Sequence, residues 1–266
     1  MRFVRFLSTF FFSSIMQTIV YTLGSVIGVS LLSLLGVGFF FMQERLMRRL
    51  LLVLVSFSSG ALLGDVFIHL LPEIAEGGSF PTALLIVLGG IVFSFVMEKI
   101  IHWHHCHLLP EDEQEHGHRH DVGAMSLFGD GVHNFIDGLA IASSFLVSVP
   151  VGLSTTIAVV FHEIPGEIGD FAILLHAGYS KKRALFFNFL SALTAVAGAI
   201  LALLGQQYFG SLNVFLLPFA AGNLLYIAGS DLIPELHREE GFRKSVLQLI
   251  AMVAGIAVMY AMLFFE

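Results

Sequence analysis

The sequence predicts an all-α membrane protein with eight transmembrane helices in a 3+2+3 inverted-repeat arrangement. Three observations lead there. Of 266 residues, 56% are hydrophobic and only 12% charged, about half the charged share of a soluble domain, and the mean hydropathy is +0.87. Apolar runs able to cross a hydrocarbon core of about 30 Å recur at about 16–41, 50–71, 82–101, 124–147, 152–175, 184–205, 212–234 and 246–265. The second and seventh runs end in matching tetrapeptides, LLPE (Leu70 to Glu73) and LIPE (Leu232 to Glu235).

The first run is preceded by MRFVRFLSTFFFSSIM, basic then apolar. No small-residue cleavage site follows it, so it reads as a lead-in to helix 1. All 13 lysines and arginines except Arg2 and Arg5 lie in or beside the connections 1-2, 3-4, 5-6 and 7-8. Cytoplasmic loops hold the excess of positive charge, so those connections are expected in the cytosol and both termini on the extracytoplasmic side. Helix 2 then runs outward and helix 7 inward. The two tetrapeptides fall at opposite faces, as an inverted repeat of helices 1 to 3 and 6 to 8 around a central pair requires. The whole chain, 1–266, reads as one transmembrane domain in a lipid bilayer. A net charge of -7 excludes a nucleic-acid partner, and the single cysteine, Cys106, excludes an internal disulfide.

The connection after helix 3, residues 102–122, is different material. His102, His104, His105, Cys106 and His107 precede an acidic EDEQE, and His116, His118 and His120 follow it. Borderline ligands in a charged cytosolic segment would bind zinc loosely.

Helix 4 reads SLFGDGVHNFIDGLAIASSF, with Asp130, His133, Asn134 and Asp137 along one helical face. Helix 5 carries FHEIPGEIGDF, in which Glu163, Glu167 and Asp170 form a second stripe beside His162. The short connection around Pro150 makes the two helices antiparallel neighbours, with His133 to Asp137 and His162 to Glu167 at similar depth. Charged groups at bilayer depth cost several kcal/mol unless partnered, and neither span holds a Lys or Arg. A bound divalent cation is the partner this composition asks for. Imidazole and carboxylate suit zinc, iron(II), manganese or cadmium better than copper(I). Pro165 cannot pair with the Phe161 carbonyl, which is expected to lie free near the ligands. Gly166 and Gly169 allow close helix approach and give no ligand.

HNFIDG (His133 to Gly138) and HEIPGEIGDF (His162 to Phe171) resemble the paired signature of the ZIP family of divalent-metal transporters, the Zrt- and Irt-like proteins. The likeness is greatest to the branch that carries HNFxDG with HEIPHE. LLGDVFIHLLPE in helix 2, Glu98-Lys99 before the histidine-rich connection, and YIAGSDLIPELH in helix 7 extend the resemblance over nearly the whole chain. It implies movement of zinc, or of cadmium, iron(II) or manganese, into the cytosol by a homodimer of eight-helix subunits. The ions are substrates, two of them adjacent, and no catalytic cofactor is implied.

By the same resemblance, His133, Asp137 and His162 hold one ion, Asn134, Glu163 and Glu167 the other, with Asp137 able to bridge. Asn188 is the helix 6 candidate. The resemblance also implies that helices 1, 4, 5 and 6 move against 2, 3, 7 and 8. Gly166 departs from the pattern, standing where the nearest branch has a second histidine, and this is expected to weaken or alter metal preference. The ion would enter past Asp65, His69 and Glu73 and leave past Asp130, Asp170 and His176. Other readings stay open. HEIPGE begins like the H-E-x-x-H zinc hydrolase motif but lacks its second histidine, the His133/Asp137 pair resembles that of six-span metal exporters, and a channel-like conductance is a third.

Overall fold

The computed structural model describes the backbone of residues 2–35, 38, 42–77, 79–106, 115–210, 212–238 and 241–265, and their side chains except at 2–14, 44, 101–106 and 115–122. The described residues are helical throughout apart from short turns. We label the helical rods α1 (Arg2–Ser30, extended by a 3-10 turn, Leu31–Leu35), α2 (Glu44–Gly64, Asp65–Leu70 and Leu71–Glu76 in line), α3 (Phe80–Cys106), α4 (Glu115–Val147), α5 (Val149–His176), α6 (Lys181–Ala192 and Thr194–Phe209), α7 (Asn213–Tyr226, Ile227–Leu232 and Ile233–His237) and α8 (Phe242–Met262).

Six spans among the described residues are long and apolar enough to cross a membrane: Ile15–Leu35, Arg45–Glu76, Phe80–Ile100, Lys181–Phe209, Asn213–His237 and Phe242–Phe265. Rods α4 and α5 are not among them because the polar stripes noted above dilute their hydropathy. Large apolar side chains such as Leu85, Leu88 and Val92 on α3, and Leu249, Ile250 and Val253 on α8, face outward. An exterior of that kind suits lipid rather than water, so the all-α membrane class holds. The protein is a multi-pass membrane protein. Helical backbone continues to Cys106 and resumes at Glu115, so helix occupies both ends of the connection drawn at 102–122.

Prolines explain the widened turns in α2 and α7. Pro72 and Pro234 have no N–H to close a turn on the carbonyl four residues back. Just before each, the chain opens to a π turn, with Leu71 N–H donating to the Val66 carbonyl and Ile233 N–H to the Ala228 carbonyl. Rod α5 starts on a different device: the Ser148 hydroxyl accepts from Val151 N–H at 3.2 Å, and Pro150 sits in the first turn, where no donor is missed. Ser148 alone therefore separates α4 from α5, which run antiparallel. Ser144 meets Thr155 at 3.0 Å near the turn, and Ser126 meets Asp170 at 3.1 Å at the far end.

Glycines set three helix seams. A Cβ on Gly60 or Gly255 would overlap the facing backbone across α2 and α8, one on Gly90 or Gly222 would do so across α3 and α7, and one on Gly138 or Gly198 across α4 and α6. Rod α5 lies between the two apolar cores these seams create. Its Val151 and Ala158 pack with residues of α2, α3, α7 and α8, while Val159 packs with residues of α1, α4 and α6. The polar stripe of α5 is thus held where the two cores meet.

Candidate metal centre

His133, Asp137, His162 and Glu163 come together, one ligand-capable atom from each lying within 4.8 Å of the others. His162 Nε2 is 3.1 Å from Asp137 Oδ2 and 3.3 Å from Glu163 Oε1. His133 Nε2 is 3.1 Å from the same Glu163 oxygen and 3.6 Å from the same Asp137 oxygen. The two imidazole nitrogens are 3.2 Å apart, with the rings at 86°. A zinc ion with bonds of about 2.0–2.1 Å makes a ligand tetrahedron with edges of roughly 3.3–3.4 Å. The five measured edges scatter around that length. Two carboxylates and two neutral imidazoles also match the charge of a divalent ion.

Orientation of the set comes from the helices. The His162 Nδ1 atom lies 3.4 Å from the Ala158 carbonyl. A carbonyl only accepts, so Nδ1 is the nitrogen that donates there, and with an ion bound Nε2 would turn its lone pair to it. Asp137, His162 and Glu163 are buried, while the His133 side chain is 32% exposed and opens the group to one side.

The other residues singled out by sequence are distributed around this group. Asn134 is fully buried; its Nδ2 donates to Asp130 Oδ1 at 2.7 Å and to the Asp130 carbonyl at 3.2 Å. Asp130 Oδ2 accepts from the Ser191 hydroxyl. Glu167 Oε2 accepts from Asn188 Nδ2. Asn134 Oδ1, Asp137 Oδ1, Glu167 Oε1 and Asn188 Oδ1 are buried without a hydrogen-bond partner. Asp170 accepts from Ser126 and His176 is exposed in the last turn of α5. Asp65 and His69 are buried on α2, apart from the cluster, with His69 Nε2 2.9 Å from the Met259 carbonyl. Glu73 lines a cavity of about 210 Å³ together with Ser79, Thr82 and Asn213. The side chains of His102, His104, His105, His116, His118 and His120, and all of His107, lie outside the described residues.

One expectation is corrected. The carbonyl that Pro165 leaves unpaired is not free for a cation: the Ser58 hydroxyl of α2 lies 2.6 Å from Phe161 O and the same distance from the Leu54 carbonyl of its own helix, which share its proton. A buried carbonyl without a donor costs about 1–3 kcal/mol, and the neighbouring helix supplies one, with Phe57 packed on Phe161 at 4.4 Å. Glu163, expected with Asn134 and Glu167, also brings its Oε1 to His133, Asp137 and His162. Ser58, Ser126 and Ser191 were not read from sequence. The only available signals were the Pro165 gap, which demands a donor, and the hydroxyls interrupting apolar runs.

Gly166 is exposed, and a Cβ there meets nothing within 4 Å. The position one turn beyond His162 therefore has room for a side chain.

Comparisons with known proteins bear on the family of the chain. The family model described as ZIP Zinc transporter matches residues 15–124 and 104–263. The chain is 39% identical to "Zinc transporter ZIP13" of Pongo abelii over 77% of its own length and 65% of that protein. It is 35% identical to the "Zinc transporter ZIP13 homolog" of Drosophila melanogaster, over 80% of the chain and 78% of the relative. For the "Metal cation symporter ZIP14" of Xenopus tropicalis the figures are 31%, 87% and 66%. With a family model spanning almost its full length and a histidine–carboxylate cluster built from both of its signature helices, the chain belongs to the ZIP zinc transporter family, whose members are transporters and not enzymes.

Proposed function

We propose that this protein carries a divalent cation, zinc first, across a membrane into the cytosol by way of the α4–α5 cluster. The observation that carries this reading is the convergence of His133, Asp137, His162 and Glu163 from two helical spans, 124–147 and 152–175, that hold no lysine or arginine. Mixed nitrogen and oxygen ligands bind reversibly, as transport needs. A second, adjacent position uses Asn134, Glu163 and Glu167, with Asn188 behind Glu167. Its support is the row of buried oxygens without partners on Asn134, Glu167 and Asn188. Glu163 and Asp137 are the residues able to bridge the two. Cadmium, iron(II) and manganese fit the same donor set.

Eight spans in a 3+2+3 inverted repeat complete the proposal, with the termini extracytoplasmic and the subunit in a homodimer. The repeat is supported by matched features: each π turn leads into the Pro-Glu tetrapeptide of its rod, and Gly60 and Gly222 stand the same distance ahead of it. The orientation is supported by the distribution of lysine and arginine, and the inward direction rests on the resemblance to the family. Asp65, His69 and Glu73 then lie on the outer side, and Asp130, Asp170 and His176 toward the cytosol.

The test is metal uptake into proteoliposomes, comparing zinc, cadmium, iron(II) and manganese for the wild type, His133→Ala and Glu163→Ala. Loss of uptake in both variants supports the cluster as the transport site. Equal accumulation in all three removes it, and efflux from loaded vesicles against a zinc gradient would favour an exporter.

A further inference from the structure

Asn134 can serve a cation only through its oxygen, and which end of its amide faces a cation is decided by its neighbours. Its Nδ2 lies 2.7 Å from Asp130 Oδ1 and 3.2 Å from the Asp130 main-chain carbonyl. Both are acceptors, so only the NH2 end fits there; turning the amide over would set its oxygen against a carboxylate and a carbonyl. Asp130 is itself held by α6: the Ser191 hydroxyl donates to Oδ2, while the Ser191 oxygen lies 2.9 Å from the Asn188 carbonyl one turn back. Thr194 closes the same seam, its hydroxyl 2.6 Å from the Gly131 carbonyl. The outcome is a side chain with no solvent exposure whose Oδ1 has no hydrogen-bond partner. A buried amide oxygen left so carries its full desolvation cost, which a cation would offset.

We propose that Ser191 and Asp130 are positioning residues that set the Asn134 amide, holding its carbonyl oxygen toward the second cation position so that Asn134 acts there as a ligand. This rests on the second position proposed above. Asp130 has both carboxylate oxygens engaged, by Asn134 and by Ser191, which assigns it a role on α4 other than release of the ion. Neither Ser191 nor Asp130 lies in the cluster of four, so their direct effect falls on the oxygen-rich position.

Cadmium titration of the purified full-length chain, followed by calorimetry, tests this through two binding events. Asn134→Ala should remove one event and keep the other. Ser191→Ala should weaken that same event by about tenfold, the lower end for loss of an outer-shell partner, while Ser191→Thr, which keeps the hydroxyl, restores it. Asp130→Asn should weaken it further, because its amide can donate to Asn134 Oδ1 and turn the group over. The histidine-containing event, which keeps all four of its ligands in every variant, reports that each is folded, since a merely structural defect would abolish both. A single event in the wild type, or two events unaffected by Asn134→Ala, overturns the second position and this proposal with it. Loss of one event in Asn134→Ala with wild-type binding in Ser191→Ala and Asp130→Asn overturns the proposal alone.

Discussion

The α4–α5 cluster and the polar stripe of α2 use the same materials in different ways. Each places histidine among carboxylates at helical spacing inside an apolar span: His133, Asp137, His162 and Glu163 in one, Asp65, His69 and Glu73 in the other. On α2 all three groups come from one rod, and the His69 ring is taken up by the α8 backbone at Met259. On α4 and α5 two rods aim four side chains at one point. A polar stripe becomes a metal site when a second stripe crosses it at the same depth; without that crossing its members find partners one at a time.

The comparison breaks most sharply at Glu163. Its Oε1 touches both histidines, so Glu163→Ala is expected to lower zinc affinity by more than about a hundredfold, beyond the usual cost of losing an outer-shell partner, as read by calorimetry. Ser58→Ala tests the join between the two regions. It leaves the Phe161 carbonyl without its donor and should destabilise the protein by about 1–3 kcal/mol, seen in thermal unfolding in detergent. His69→Ala should cost about 1 kcal/mol by freeing the Met259 carbonyl, and should slow uptake at low metal while the affinity of the α4–α5 site stays as it was. A gain rather than a loss is expected for Gly166→His. The open space at this position accepts the ring, and one added contact should tighten zinc by up to about tenfold; unchanged affinity and selectivity would remove Gly166 as a determinant.

Much of the cluster was legible in the sequence because helical periodicity is arithmetic. His133 and Asp137 are one turn apart, and the connection at Pro150 is too short for anything but an antiparallel pair. That fixed which stripes meet. It could not fix which carboxylate oxygen sits where, since Glu163 reaches the histidines through side-chain torsions that spacing does not determine. Ser58 and Ser191 were invisible for another reason: each acts on a residue far away in the chain, and nothing local marks a serine as a donor to Phe161 or to Asp130. The π turns lie between these cases. Pro72 and Pro234 are local causes, yet a proline marks only that a turn must change and not which way it opens.

The glycine seams bear on how the molecule is put together during synthesis. Gly60 on α2 meets its partner surface only on α8, and Gly90 on α3 only on α7. Both partners leave the ribosome long after the rods that need them, because domains are made from the N-terminus onward. Until then α2 and α3 present bare backbone grooves to lipid or to whatever assists insertion. Rod α8, made after α2, is therefore the one that closes this seam. A bulky residue at Gly255 would be felt first as a failure of assembly, in yield and half-life, before any effect on how the finished protein handles its ion.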